Sequence, residues 1–245
     1  SFNMHRYSLI TTLSVFTIVV GASDAQTQSP PLSYPAAARS AQVDDYHGVS
    51  IADPYRWLED TDAPATKAWV EAQNKLSDVF LATIPERANI KYRLTQLWNY
   101  ARYGAPFKEG GRYFYFENTG LQNQSVLYVQ DGRSAPARVL LDPNVLSTDG
   151  TVALSGQAAS DDGHYLAYSL STSGSDWQEL HVRNVDTGRD LPDTVKWVKF
   201  SGISWTHNNK GFFYSRYDEP TSGNKMTNVN RNQKVYYHRI GQAQS

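Results

Sequence analysis

The 245-residue sequence contains no cysteine. This excludes a disulfide framework, a Cys-ligated zinc site, a thiol nucleophile and a Cys-linked lipid anchor. An excess of charge of either sign is also missing: 23 Lys and Arg stand against 24 Asp and Glu, for a net charge of -1. A nucleic-acid partner needs a basic stripe or patch, so none is expected. Long apolar runs are scarce. The one clear run, Leu9 to Val20, is too short to cross a hydrocarbon core of ~30 Å as a helix, so no stable membrane anchor is expected. The six histidines are scattered and form neither H-E-x-x-H nor H-x-H, and no Gly-rich phosphate loop occurs. No metal and no cofactor is implied. Asp161-Asp162-Gly163 lacks alternating oxygen ligands and a terminal Glu, and reads as a hairpin turn rather than a calcium loop. A nucleophile elbow is missing too. Its nearest approximation, Gly202-Ile203-Ser204-Trp205-Thr206, lacks the second glycine and falls in a predicted strand. These residues therefore yield no catalytic assignment.

What is abundant is aromatic. Phe, Trp and Tyr make up 13% of the chain, with 16 Tyr and 6 Trp, a composition that favours pleated, half-buried strands. Hydrophobic residues at 40% and charged residues at 19% supply a core and argue against general disorder.

The amino terminus reads as an export signal. Ser1-Phe2-Asn3 precedes Met4 and reads as an upstream remnant, and His5-Arg6 form a basic n-region. Leu9 to Val20 is the apolar h-region, and Ser23 and Ala25 occupy the -3 and -1 positions of a cut before Gln26. Residues 1–25 are thus expected to be a signal peptide with its leading remnant, and the mature protein to be periplasmic or secreted.

Residues 26–99 form a second segment. Gln26 to Arg39 is polar and Pro-rich and should be extended. His47-Gly48 and Asp53-Pro54 mark turns. A first helix is predicted with Asp62 as its N-cap and Pro64 in its first turn, where a missing N–H costs nothing. Ala65, Trp69, Ala72, Leu76, Val79 and Phe80 give it one apolar face. Pro85 opens a second helix whose stripe is Ile90, Leu94, Leu97 and Trp98. Core packing is the expected role of both stripes.

From Tyr100 to Ser245 the periodicity changes to two, and the pattern repeats. Gly111-Arg112-Tyr113-Phe114-Tyr115, Gly163-His164-Tyr165-Leu166-Ala167-Tyr168 and Gly211-Phe212-Phe213-Tyr214 each leave a polar turn through glycine and enter an aromatic strand. They recur at intervals of about 50 residues, and each is followed by a second strand around Leu127, Leu180 and Val235. Four-stranded propeller blades have this repeat length, and one blade buries its two faces only against neighbours. Residues 100–245 hold about three blades, fewer than the four or more of a closed ring, so an incomplete propeller is expected.

Several colinear motifs carry a family resemblance. Asp45-Tyr46-His47-Gly48, Asp53-Pro54-Tyr55-Arg56-Trp57-Leu58-Glu59-Asp60, Val70-Glu71-Ala72-Gln73-Asn74 and Tyr113-Phe114-Tyr115-Phe116 come first, with Asn118 to Gln124 after them. Leu141-Asp142-Pro143-Asn144, Asp149 to Leu154 and Ser173-Gly174-Ser175-Asp176-Trp177 follow in order. Over residues 34 to 242 the chain resembles the amino-terminal part of prolyl oligopeptidase. The resemblance implies a mainly β fold: a partial seven-bladed β-propeller preceded by the α-helical amino-terminal arm of an α/β-hydrolase domain. It implies a serine peptidase cutting short peptides after proline, the propeller excluding folded proteins. The triad would lie in a carboxy-terminal hydrolase domain beyond this chain, so the chain alone is expected to be inactive. Its partners would be proline-containing short peptides and that hydrolase domain. Val198-Lys199-Phe200-Ser201 matches the segment whose Phe enters an apolar subsite two residues before the substrate proline, so Phe200 is the one expected substrate-binding residue. Asp176 and Trp177 are expected either to face the interdomain cavity or to form a turn, and Asp53, Glu59 and Asp60 to make turns and cap the helix. The alternatives are a related oligopeptidase cutting after basic residues, against which the Asn118 to Gln124 and Leu141 to Asn144 runs speak, and a non-enzymatic binding propeller.

Overall fold

The structure, a computed structural model, describes residues 32–220 and 229–244. The signal-peptide reading, on residues 1–25, lies outside the described residues. The chain divides into two compact units, Ser1–Pro35 and Ala36–Ser245, and the elements below all belong to the second.

The unit opens with a hairpin of β1 (Val43–Tyr46) and β2 (Val49–Ala52), paired from Val43↔Ala52 to Tyr46↔Val49. His47 and Gly48 both have positive φ, 57° and 86°, as a two-residue primed turn requires. The Asp45 carboxylate accepts the Gly48 N–H at 2.9 Å. A 3-10 turn over Arg56–Glu59 leads to α1 (Pro64–Ala82) and α2 (Arg87–Trp98).

The expected N-cap at Asp62 is corrected. Ala63 holds that position without a side-chain bond, and the Asp60 carboxylate, just before the helix, accepts the N–H groups of Asp62 (3.1 Å) and Ala63 (3.2 Å). Pro64 opens α1 as anticipated. The second helix begins at Arg87, two residues after Pro85. Core packing of the two stripes is corrected as well. Thr66, whose hydroxyl donates to the Trp57 carbonyl at 3.0 Å, is the one buried residue of α1, and α2 has none.

The strands carry the core. A first sheet comprises β3 (Arg102–Tyr103), β4 (Phe107–Glu109), β5 (Arg112–Asn118), β6 (Val126–Gln130) and β7 (Arg138–Leu141). β3 and β4 both pair with β5 and act as one strand interrupted at Gly104 to Pro106, where proline cannot donate to a ladder. A second set, β8 (Val152–Ala159), β9 (Tyr165–Thr172), β10 (Gln178–Asn184) and β11 (Arg189–Val198), is an antiparallel meander. A third contains β12 (Ser204–Trp205), β13 (Gly211–Arg216) and β14 (Lys234–Arg239), joined to the second by the single pair Val198↔Arg216. Gly202 and Ile203 lie in the connection before β12, so only Ser204 and Trp205 of that predicted strand are strand.

The three repeats occupy equivalent places. β5, β9 and β13 start at or just after their glycines and pair antiparallel with β6, β10 and β14. Strand alternation explains how the middle blade buries both faces. Leu166 and Tyr168 point into one core with Phe114, Leu127, Val129 and Leu141 of the first blade. Ala167, between them, points with Leu180 and Val182 into another core with Phe212 and Tyr214 of the third. Polar groups tie the seams. Arg112 donates to the Gly163 carbonyl (2.7 Å), Arg183 to that of Leu140 (2.6 Å) and the Trp205 indole to that of Ala158 (2.9 Å). Gly110 lies against the neighbouring turn, where an added Cβ would stand 1.9 Å from the Asp162 carbonyl oxygen. Only glycine fits there, and its φ of +54° suits it.

Candidate substrate-facing rim

Three loops meet around Phe200: the β9–β10 loop with Trp177, the β11–β12 connection, and the described ends of the β13–β14 loop, with Tyr217 and Asn230. Their backbone is unusual. Trp197 and Phe200 hold left-handed φ values of 63° and 53°, in a region bulky side chains avoid. Local hydrogen bonds over-determine this shape. Tyr217 N–H donates to the Trp197 carbonyl at 3.1 Å, and Ser215 N–H to the Ser201 hydroxyl at 2.7 Å. The Gln233 amide donates to the Lys199 carbonyl at 3.0 Å. The strain has a visible result: Phe200 remains 62% exposed at the end of a strand whose last residue, Val198, is fully buried.

Behind Phe200 stands an aromatic cluster. The Trp177 ring meets Trp197 edge-on at 6.0 Å and Tyr217 at 6.3 Å, an arrangement the ring quadrupoles favour. The Lys199 ammonium lies 4.9 Å from the centroid of Trp177 and 5.4 Å from that of Phe200. It donates to the Asn230 side chain at 3.3 Å and stands 3.9 Å from the Asp176 carboxylate. Trp177 and Trp197 also wall a cavity of about 630 Å³, with Thr172, Ser173, Thr61 and Asp62. The rim thus presents an apolar ring to solvent, and beside it a recess lined by aromatic and hydroxyl-bearing side chains together with the charged Asp62, Glu179 and Lys196.

Asp176 is an exposed loop residue, whereas Trp177 is the centre of the cluster. The sequence did not single out Trp197 or Tyr217. Each is placed by a positive-φ backbone or a loop start, and periodicity does not register such positions. In the arm, Asp53 pairs with Arg56 at 2.5 Å, Asp44 pairs with the same guanidinium, and the Trp57 indole donates to the Ala38 carbonyl at 2.7 Å. The hydrogen bond from Gln42 and the Arg56 guanidinium hold the Asp44 carboxyl below its usual range. These carboxylates are occupied in local structure.

Histidine and aspartate meet elsewhere. His164 Nδ1 lies 2.7 Å from Asp186, which also pairs with Arg112; His207 Nδ1 lies 2.6 Å from Asp161; and buried His238 Nε2 lies 2.7 Å from buried Asp193. Hydrogen bonds from His164 and then Arg112 depress the Asp186 carboxyl, and the bond to Asp161 raises the His207 imidazole. Among the described residues, no serine hydroxyl is hydrogen-bonded to a histidine, and no three His, Asp or Glu side chains converge as a metal site.

The family model described as "Prolyl oligopeptidase, N-terminal beta-propeller domain" matches residues 35–245. The chain belongs to that family. It is 42% identical over 233 residues to a prolyl endopeptidase of Elizabethkingia miricola, covering 95% of this chain and 33% of the relative. It is 36% identical to prolyl oligopeptidase A of Amanita bisporigera, covering 90% of this chain and 33% of that protein. The chain therefore spans about one third of the curated relatives it matches. Among solved structures, prolyl oligopeptidase B of Galerina marginata, bound to a 35mer hydrolysis and macrocyclization substrate, superimposes with a TM-score of 0.69 at 33% identity, covering 88% of this chain and 33% of that one. A structure from a study of two prolyl endopeptidases gives 0.73 at 34% identity, covering 86% and 31%.

Proposed function

We propose that this chain is the amino-terminal portion of a serine peptidase that hydrolyses short peptides on the carboxyl side of proline. The observation that carries the reading is identity at 42% along 95% of the chain with a protein named prolyl endopeptidase. In this reading the blades form part of a filter that admits short peptides and excludes folded proteins. Phe200 offers its exposed ring to the substrate residue two positions before proline, with the recess walled by Trp177 and Trp197 beside it. The exposed stripes of α1 and α2 dock onto the hydrolase domain, which supplies nucleophile, base and oxyanion hole. The signal-like residues 1–25 direct the enzyme to the periplasm or the medium.

The test is a fluorogenic peptide assay. The 245-residue chain alone is expected to give no turnover above buffer. The full-length peptidase containing it is expected to cleave after Pro and not after Arg or Lys. Turnover by the purified chain would overturn the inactive-fragment claim, and cleavage after basic residues would overturn the specificity. Activity confined to the cytoplasm on cell fractionation would overturn export.

A further inference from the structure

We propose that Lys199 is a positioning residue for Phe200, fixing the direction in which the exposed ring points. The inference rests on the substrate-facing role proposed above for Phe200. Its basis is the unusual situation of the lysine. The side chain is only 12% exposed, although it lies next to a phenylalanine that is 62% exposed. Its ammonium touches all three loops of the rim. It lies over Trp177 of the β9–β10 loop at 4.9 Å, over Phe200 of its own connection at 5.4 Å, and donates to Asn230 of the β13–β14 loop at 3.3 Å.

A cation between two aromatic faces attracts both, and partial burial strengthens the attraction because water competes less. Asp176, at 3.9 Å and 63% exposed, adds a mostly solvated counter-charge. The Phe200 backbone, at a φ of +53°, is in a conformation it does not favour on its own. The Gln233 amide holds the Lys199 carbonyl at 3.0 Å, so backbone and side chain of the lysine are both clamped. Releasing the ammonium leaves the ring free to rotate away from the substrate path while the buried Val198 and the blade core stay in place. The consequence falls on substrate binding at one position and not on the chemical step.

The experiment uses the full-length peptidase with Lys199→Met, Lys199→Arg and Phe200→Ala. Two peptides are compared, one with Phe and one with Gly two residues before the proline. Lys199→Met is expected to raise KM for the Phe peptide about tenfold, leave kcat within about twofold, and leave the Gly peptide unchanged. Lys199→Arg retains a cation over both rings and is expected to restore KM to within about twofold. Phe200→Ala is the control. If it leaves discrimination between the peptides intact, the proposed role of Phe200 fails, and the inference with it. If it abolishes discrimination while Lys199→Met preserves it, the inference alone is overturned. Hydrogen exchange on the 245-residue chain gives a second readout. Lys199→Met is expected to speed exchange in the β9–β10 and β13–β14 loops together, and unchanged exchange in both overturns the proposal.

Discussion

The helical arm and the blades use similar apolar side chains to opposite ends. In α2, Leu94 and Leu97 are each more than half exposed, whereas Phe114 and Leu127 of the first blade are fully buried. Both segments follow the periodicity of their secondary structure. The difference lies in what stands opposite. A strand in these blades has a neighbour of the same kind supplied by the repeat, so alternation fills two cores in succession. A helix stripe needs a partner of a different kind, and no described element covers this one. Repetition thus makes the blades self-sufficient at each seam, while the arm gains little from its own stripe within this chain.

The sharpest way to break this comparison is to remove a large apolar side chain from each region. Phe114→Ala is expected to cost about 3–5 kcal/mol, because it deletes a fully buried ring stacked on Phe107 at 5.1 Å and leaves a cavity between two blades. Urea unfolding followed by circular dichroism measures this, and Phe114→Leu supplies a milder version if the alanine variant does not fold. A loss under about 1 kcal/mol would mean that the first seam is not a cooperative part of the fold.

The second seam has a polar centre, and its removal comes next in size. Asp193 accepts from His238 at 2.7 Å and from the Gly241 N–H at 2.8 Å, and Asp193 and His238 are both almost wholly buried. Asp193→Ala strands a buried imidazole and a backbone donor, with an expected cost of about 3 kcal/mol. The double variant Asp193→Ala, His238→Phe is expected to recover part of this, since it removes the stranded ring nitrogen. A double variant as unstable as the single one would show that packing, rather than the unpaired polar group, sets the cost.

Exposed ion pairs at the hairpin tips give a smaller, pH-dependent effect. The Asp186 carboxyl is depressed by His164 and Arg112. Its contribution to stability is therefore complete above the ordinary carboxylate value of 3.8 and is lost as the pH falls through the lower folded value. His207 behaves in the opposite sense: its raised value gives stability below the ordinary 6.5 that is lost as pH rises through the folded value. Asp186→Asn is expected to flatten the fall in the urea midpoint between about pH 4 and about pH 2. Parallel profiles for the parent and the variant would remove the pair from the account.

How much of this was legible depended on period and glycine. The three glycine-led repeats placed β5, β9 and β13, and the His47-Gly48 turn was placed correctly, because both signals are local. The helical stripes were found, but their burial was not, since a stripe records that a helix wants a partner and not whether one is present. Asp62 satisfies the cap composition rule, yet Ala63 is the N-cap, and the Asp60 carboxylate takes up the N–H groups of Asp62 itself and of Ala63 just before the helix. Phe200 could be named by resemblance. Its exposure, its left-handed backbone and the Lys199 clamp depend on contacts among three loops separated by whole strands of the sequence. No local pattern encodes those contacts.

The smallest expected effect sharpens the comparison from the other side. Leu94→Ser removes an apolar side chain as large as Leu127, but from a position 58% exposed. Little area returns to water, so the change in stability of this chain should stay within about 0.5 kcal/mol, apart from a modest helix-propensity cost. The same substitution in the full-length peptidase is expected to cost more, about 2 kcal/mol, if α2 is covered there by the hydrolase domain. The informative quantity is the difference between the two measurements. A small loss in the chain with a large loss in the full-length protein identifies the arm as an interface element. Equal small losses would mean that α2 stays exposed, and the docking of the arm would then have to be reassigned to α1, where Thr66 already anchors the first turn to Trp57.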